Sequence, residues 1–150
     1  FAKAVSGGYP AGGCLFKKKV ANSMHISSHG SMFAGSPLAM SLANTVLDVM
    51  LKEGFEQHIN EVSKYFFERL KEIHQNFSSI IKEVRGRGLM IGLQTHDDPS
   101  KLISIFLKNK LITVKANDNV IRILPSLIIT KEEIDEGIEI IKKSCQKYKA

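Results

Sequence analysis

The chain has 150 residues, of which 43% are hydrophobic and 24% are charged, and its formal net charge is +6. These values are typical of one globular domain with a sizeable core, and they exclude a disordered chain, a collagen-like repeat and a disulfide-stapled miniprotein. No apolar run approaches the roughly 20 residues of a membrane-spanning helix, so we expect no membrane partner. Cys14 and Cys145 lie far apart without metal-ligand spacing, which favours reduced thiols in a cytoplasmic protein and no metal site.

The positive charge is dispersed along the chain. The sequence has only four arginines, at positions 69, 85, 87 and 122, and one run of three lysines, Lys17–Lys19. A nucleic-acid site concentrates arginines on one face and interleaves them with aromatic side chains. The dispersed surplus instead favours a solvated surface, and we expect no nucleic-acid partner.

Residues 1–14 are rich in glycine, and residues 15–35 are mixed and polar. Four glycines surround Tyr9 and Pro10, which predicts a tight loop over residues 1–14. The chain begins at Phe1 without an initiator methionine or a signal segment, and its first residues resemble the middle of a domain. We therefore expect the sequence to be part of a longer protein.

Helical signals begin at Ser36. Ser36 and Pro37 predict a helix N-terminus, and Gly54 ends this first helix. A second helix follows at once, because apolar side chains recur at helical spacing from Phe55 onward. Residues 80–95 are typical of a strand.

The last third of the chain alternates helix and strand signals. Asp98 and Pro99 predict the start of a helix that runs to about residue 110, and two short strands, 111–115 and 120–124, flank a turn. Thr130 and Glu133 form a capping box for the last helix. The apolar face of that helix consists of Ile134, Ile138, Ile141 and Cys145. This order of elements predicts an α/β or α+β layer structure.

Lys3 is the first candidate for chemistry, since it stands between apolar residues just before the glycine-rich loop. A lysine in an apolar, ligand-facing position is a usable amine nucleophile for Schiff-base chemistry with a carbonyl cofactor. The alternative is an ordinary surface lysine beside a Gly-Gly pair.

Arg122 is the second candidate, because it interrupts the apolar segment 120–124. A buried guanidinium requires a carboxylate from substrate or protein, whereas an arginine on an edge strand reaches solvent. The third candidate is the segment 85–88, Arg-Gly-Arg-Gly. Its glycines indicate a bulge or a close backbone approach, and either arginine could bind an anion, although a structural role is the simplest account.

Four segments together resemble one family. They are residues 1–10 (FAKAVSGGYP), 29–39 (HGSMFAGSPLA), 84–93 (VRGRGLMIGL) and 119–128 (NVIRILPSLI). Their content and order are similar to those of the class III pyridoxal-phosphate aminotransferases, and within that class to the branch that acts on acetylornithine. The resemblance extends over essentially all 150 residues and corresponds to the C-terminal part of the family's chain.

The resemblance implies the fold of the type I pyridoxal-phosphate-dependent transferases. Residues 1–35 would be the tail of the large cofactor domain, residues 36–54 the long connecting helix, and residues 55–150 the small C-terminal α/β domain. The implied cofactor is pyridoxal 5'-phosphate, and the implied assembly is a homodimer.

The resemblance also implies roles for four residues. Lys3 matches the lysine that bonds to the cofactor aldehyde and later moves a proton, and Arg122 matches the arginine that holds a substrate carboxylate. Ser31 matches a residue that lines the substrate site of the neighbouring subunit. Met32 stands where the family has a threonine that binds the cofactor phosphate, and a thioether cannot donate that hydrogen bond.

The implied reaction is transfer of an amino group from N-acetylornithine to 2-oxoglutarate, as in arginine biosynthesis in the cytoplasm. Ornithine and 4-aminobutyrate aminotransferases remain open as alternatives, as does a non-enzymatic remnant that folds or dimerises without the cofactor. The family's aspartate at the pyridine nitrogen and its main phosphate site correspond to positions before Phe1, so we expect these 150 residues alone not to transaminate.

Overall fold

The polar, glycine-rich first third of the chain forms short helices with few buried side chains. The computed structural model describes residues 1–149, which form two compact units, Phe1–Glu56 and the chain from Gln57 onward. The helices of the first unit are a 3-10 helix over Lys3–Ser6, α1 over Lys18–Ala21 and α2 over Pro37–Met50. Ser6 and Ala39 are its buried residues.

The predicted start of α2 is confirmed, because Pro37 is its first residue. The Ser36 side chain, however, makes no capping hydrogen bond. The helix ends at Met50, four residues before Gly54, and that glycine has a positive φ of 86° in the turn before the next helix.

The second unit is a four-stranded antiparallel sheet with three helices. Its elements are α3 (Phe55–Asn76, whose first two residues precede the unit boundary), β1 (Ile81–Arg87), β2 (Met90–Thr95), α4 (Ser100–Lys108), β3 (Val114–Ala116), β4 (Val120–Ile123) and α5 (Lys131–Lys149). The strand order is β1-β2-β4-β3, and each neighbouring pair is antiparallel. The predicted α/β layer structure is therefore confirmed.

Residues 80–95, which we expected to be one strand, are a hairpin. β1 and β2 pair with Arg87 opposite Met90, and Gly88 and Leu89 form the turn between them. Gly88 has a φ of +56°, a conformation that glycine adopts without steric cost, and it therefore allows the chain to reverse within two residues.

One face of the sheet carries the core. Ile91 and Leu93 of β2 pair with Ile123 and Ile121 of β4, and all four are buried, because alternate residues of a strand share a face. The helices add the buried side chains Val62, Phe66, Leu70 and Ile73 of α3, Leu102 and Phe106 of α4, and Ile134, Ile138, Ile141 and Cys145 of α5. The expected apolar face of α5 is confirmed. Across residues 1–149, no helix combines the length and the apolar character needed to cross a bilayer.

Two of the predicted helix starts, those of α4 and α5, are supported by side-chain hydrogen bonds. The N–H of Thr130 donates to Glu133 Oε2 at 2.9 Å and the N–H of Glu133 donates to Thr130 Oγ1 at 3.3 Å, which is the reciprocal pattern of a capping box. Before α4, the N–H of Ser100 donates to Asp98 Oδ1 at 2.8 Å. A hydrogen bond from Lys115 holds the pKa of the Asp98 carboxyl well below its usual value.

A polar cluster joins α3 to α5 at the margin of the core. The Tyr65 hydroxyl donates to the Asp135 carboxylate at 2.7 and 2.8 Å, and Arg69 Nε donates to Asp135 Oδ1 at 3.0 Å. The hydrogen bond from Tyr65, together with Arg69, lowers the pKa of the Asp135 carboxyl, and the same bond raises the pKa of the Tyr65 phenol. The folded state therefore favours the ionised carboxylate beside a neutral phenol.

Leu70 has no exposed surface, so truncating its side chain should have a large cost in stability. We expect Leu70→Ala to lower the free energy of unfolding by about 2–5 kcal/mol, because the cavity it leaves cannot fully collapse. Leu107→Ala is the matched control, since Leu107 is 61% exposed on α4, and it should change stability by less than about 0.5 kcal/mol. Chemical denaturation measures both values, and equal losses would contradict this description of the core.

The polar cluster predicts a pH dependence. Because the pKa of Asp135 is lowered on folding, its contribution to stability is complete above the unfolded carboxyl pKa of about 3.9 and is lost as the pH falls through the folded value. At pH 7, the Asp135→Asn variant should therefore have a lower melting temperature than the unaltered chain. The difference between the two melting temperatures should become smaller in acid. Glu136→Gln removes the same charge from the adjacent exposed position and should show no such narrowing.

Candidate functional site

Lys3 lies in a loop whose two ends are joined by backbone hydrogen bonds. The backbone nitrogen of Phe1 donates to the oxygen of Gly13 at 2.9 Å, and the N–H of Gly13 donates to the oxygen of Phe1 at 2.8 Å. Ala2 and Gly12 form an antiparallel bridge. The segment 3–11, with Lys3 at its beginning, is therefore closed like the end of a hairpin.

The backbone of Lys3 is strained. Its φ is +62°, in the left-handed region that residues other than glycine seldom occupy, and its side chain is exposed. A backbone of this kind costs about 1–3 kcal/mol and persists where the surroundings impose it, which occurs preferentially at functional sites. Gly7, with a φ of +64°, ends the 3-10 helix that Lys3 begins. Sequence reasoning identified Lys3 but carried no signal of its conformation.

Ser31 and Met32 lie in a tight turn before α2. Ser31 Oγ accepts a hydrogen bond from the N–H of Phe33 at 3.2 Å, and the oxygen of Ser31 accepts one from the N–H of Ala34. Met32 is 97% exposed. Ser31 therefore keeps a hydroxyl proton to donate, whereas Met32 offers no donor from its side chain.

A cavity of about 390 Å³ is lined by residues of both this turn and the glycine-rich loop. Its walls come from residues 10–12 of that loop, from His29 and Ser31, from residues 33–35, and from Ala39 and Met40 of α2. Of the three candidate residues in the first unit, Ser31 lines the cavity, and Lys3 and Met32 do not.

Arg122 belongs to the second unit and is exposed. Its strand, β4, lies between β2 and β3, so it is neither the buried arginine nor the edge-strand arginine that the sequence suggested. The reason is strand alternation: Ile121 and Ile123 occupy the core face, which directs Arg122 to the opposite face. Within residues 1–149, no carboxylate lies within ion-pair distance of its guanidinium.

Gly86 confirms the close backbone approach expected of segment 85–88. Its φ is +147°, and a Cβ at this position would lie 2.2 Å from the backbone oxygen of Met90. The role of this glycine is therefore structural. Arg85, beside it, lies on the same sheet face as Arg122, with Gly92 between them: Arg85 pairs with Gly92, and Gly92 pairs with Arg122. Sequence reasoning did not connect the two arginines, since the hairpin that aligns them was not predicted.

The candidate residues thus fall into two groups. Lys3, Ser31 and Met32 belong to the first unit, and Arg122 belongs to the second. In the part of the chain that the structure describes, no three His, Cys, Asp or Glu side chains are grouped so as to hold a metal ion.

Comparison with known proteins decides the family. The family model described as aminotransferase class III matches residues 1–145. The chain belongs to the class III aminotransferase family. The proteins of this family depend on pyridoxal phosphate.

Several proteins that are similar to this chain are named as acetylornithine or ornithine aminotransferases. Acetylornithine aminotransferase 1 of Bradyrhizobium diazoefficiens is 41% identical over 144 residues, which are 96% of this chain and 36% of that protein. The crystal structure of acetylornithine aminotransferase from Elizabethkingia anophelis superimposes with a TM-score of 0.82 and 27% identity over 97% of this chain and 39% of that one. Ornithine delta-aminotransferase of Plasmodium falciparum gives a TM-score of 0.78 and 31% identity over 87% of this chain and 35% of that one.

The class III aminotransferase chain described here spans between 35 and 39% of the length of these three relatives. The fold of a type I pyridoxal-phosphate-dependent transferase, represented by its C-terminal portion, agrees with these likenesses. The second unit contributes to that fold a small antiparallel sheet that shares a hydrophobic core with three helices.

The geometry at Gly86 predicts opposite effects for two glycine substitutions. Gly86→Ala should lower the free energy of unfolding by about 1–3 kcal/mol, because the new Cβ meets a backbone atom and the φ is unfavourable for alanine. Gly137→Ala, inside α5 with no atom within 4 Å of the added Cβ, should raise it by about 0.5–1 kcal/mol. Denaturant titration of both variants provides the measurement, and a neutral Gly86→Ala would contradict the close approach.

Proposed function

We propose that this chain is the C-terminal part of a pyridoxal-phosphate-dependent aminotransferase that passes an amino group from N-acetylornithine to 2-oxoglutarate. The observation that carries the proposal is Lys3: its exposed amine stands on a strained backbone in a closed loop, in a chain of the class III family. In this proposal residues 1–35 are the C-terminal tail of the large cofactor domain, and residues 36–54 are the helix that connects it to the small domain. Residues 55–150 form that small domain.

Lys3 fits the covalent role. Its Nζ is on an exposed side chain, so an aldehyde can reach it, and the loop closed by Phe1 and Gly13 fixes the origin of the side chain. The cofactor, when bound, withdraws electrons from the substrate Cα and makes its proton acidic. In this proposal the Lys3 amine is the base that takes that proton and returns it.

Ser31 fits a binding role, and Met32 does not supply the phosphate hydrogen bond expected at its position. Ser31 Oγ accepts a hydrogen bond from the N–H of Phe33, which leaves its own proton available to an acceptor on the cofactor or the substrate. The exposed thioether of Met32 has no proton to donate. As in the resemblance, we assign Ser31 to the site of a neighbouring subunit, which makes the active assembly a homodimer.

Arg122 is proposed to hold a carboxylate of the amino-acid substrate. It is exposed, it has no carboxylate partner within residues 1–149, and its position inside the sheet fixes its backbone. A guanidinium binds a carboxylate through two parallel hydrogen bonds, which sets the orientation of the substrate as well as its affinity.

The names of the relatives support the choice of substrate. The similar proteins described above act, by their names, on acetylornithine or ornithine, and both compounds carry a second nitrogen at the far end of the chain. We propose N-acetylornithine as the donor, in arginine biosynthesis, and a cytoplasmic location. One observation favours a second candidate, a chain that folds without the cofactor: Met32 is almost completely exposed and lacks the donor that phosphate binding needs.

The test is covalent trapping with limiting pyridoxal phosphate, followed by hydride reduction and peptide mass mapping. We expect the label on the peptide that contains Lys3, and we expect Lys3→Ala to abolish it. Lys18→Ala removes an exposed lysine of the same unit and is the matched control. Label scattered over surface lysines, and unchanged in Lys3→Ala, would favour the cofactor-free candidate.

A further inference from the structure

The packing of α4 against α5 brings together lysines that are far apart in the sequence. Asn109, directly after α4, donates from Nδ2 to Ser144 Oγ of α5 at 2.8 Å, and Lys147 Nζ donates to Asn109 Oδ1 at 3.4 Å. Near the start of α4, Lys101 Nζ lies 5.0 Å from the centre of the Tyr148 ring. The exposed lysines beside these contacts form the lysine surface: Lys101, Lys108, Lys110, Lys143 and Lys147.

Helical spacing orders four of these lysines along the two helices. Lys101 and Lys108 are two turns apart on α4, and Lys143 and Lys147 are about one turn apart on α5, so each pair lies along one side of its helix. Asn109 follows Lys108 in the chain and contacts Lys147. The two pairs therefore border the same contact between the helices, and positive charge runs along both of its sides.

The lysine surface is deficient in carboxylates. No Asp or Glu occurs in residues 99–117 or in residues 140–148. Among the ion pairs formed within residues 1–149, none includes a lysine of this surface. Lys115 and Lys142, by contrast, pair with Asp98 and Glu139. The fold thus neutralises the neighbouring lysines and leaves this group available to an external anion.

Helix stability does not account for the whole group. The carbonyl end of a helix favours a cation in its last turn, which explains Lys108 on α4 and Lys147 on α5. Lys101, however, is in the first turn of α4, where a positive charge is unfavourable, and Lys110 lies beyond the end of that helix. Binding of an anionic partner is a reason for all five positions.

The residue type indicates which anion fits. Lysine carries a compact, hydrated charge on a flexible stem, whereas arginine is the usual residue for two-point recognition of phosphate and nucleic acid. The four arginines of the chain lie outside residues 99–117 and 140–148. A bilayer surface requires an apolar face that inserts beside the lysines, but the apolar faces of α4 and α5 are buried in the core. Carboxylates spaced along a peptide match lysines spaced along two helices.

We propose that the lysine surface binds an acidic segment of another protein, a stretch of chain rich in Asp and Glu that lies along the contact between α4 and α5. The attraction is electrostatic, so added salt weakens it. This interaction is independent of the chemistry assigned to Lys3, and it adds a partner to the proposed function.

The experiment is a fluorescence anisotropy titration of a dye-labelled decamer of glutamate with the 150-residue chain. We expect binding at about 50 mM salt and an affinity at least roughly fivefold lower at about 200 mM, because the screening length shortens. A decamer of alternating glycine and serine is the uncharged control and should not bind. A decamer of thymidylate and vesicles that contain phosphatidylserine test the other two classes of anion, and both should bind more weakly than the glutamate decamer.

Two triple variants separate the lysine surface from general positive charge. Lys108→Gln, Lys143→Gln and Lys147→Gln together should lower the affinity for the glutamate decamer about tenfold, since three favourable contacts are lost. The matched control combines three substitutions of exposed lysines elsewhere in the same unit, Lys64→Gln, Lys71→Gln and Lys82→Gln. It removes the same charge and should stay within about twofold of the unaltered chain.

An equal loss in the two triple variants would show that net charge alone attracts the peptide, and would overturn the proposal. Unchanged affinity in the first triple variant, or no binding by the unaltered chain, would do the same. Tighter binding of thymidylate or of the vesicles would reject an acidic protein segment as the partner. Circular dichroism checks folding, and the double variant of Lys108→Gln and Lys143→Gln, which keeps the contact of Lys147 with Asn109, replaces the triple variant if the latter unfolds.

Discussion

The burial of one face of the four-stranded sheet is the constraint on which the second unit depends. Ile121 and Ile123 must both face the helices, and strand alternation then leaves Arg122 no position except the opposite face. The same rule sets Arg85, because its partner Gly92 lies between two buried residues of β2. A shift of one residue in register would bury a guanidinium and expose two isoleucines, so the hydrophobic core itself specifies where the charged groups stand.

In the first unit, the candidate residue Lys3 is positioned by backbone hydrogen bonds instead of by a hydrophobic core. The buried residues of this unit are few, and Lys3 is positioned by backbone hydrogen bonds between Phe1 and Gly13 and by glycine conformations near the loop. The φ of +62° at Lys3 occurs inside a loop whose closing hydrogen bonds join Phe1 and Gly13, 12 positions apart. In the proposed function, the Lys3 amine on such a loop has to change its bonding during the reaction, whereas the Arg122 guanidinium on the sheet has to remain in place.

Local signals in the sequence were reliable where short-range chemistry decides the structure. The capping box at Thr130 and Glu133, the proline at the start of α2 and the apolar face of α5 were all predicted and are all present. The hairpin over residues 80–95 was missed, because its turn at Gly88 and Leu89 has a buried hydrophobic residue where polar turn residues are usual. That error concealed the alignment of the two arginines, which exists only once β1 folds back on β2.

The sequence by itself determined the four longer helices, α2 to α5, the apolar stripes, the family resemblance and the identity of Lys3 and Arg122 as candidates, because these follow from residue type and spacing within short stretches of the chain. Tertiary structure alone decided that Arg122 is exposed inside the sheet, that Arg85 faces it across Gly92, and that Lys3 has a left-handed backbone. Strand order and register arise from contacts between residues far apart in the chain, and a positive φ arises from loop closure. Neither is encoded in the pattern of neighbouring residues.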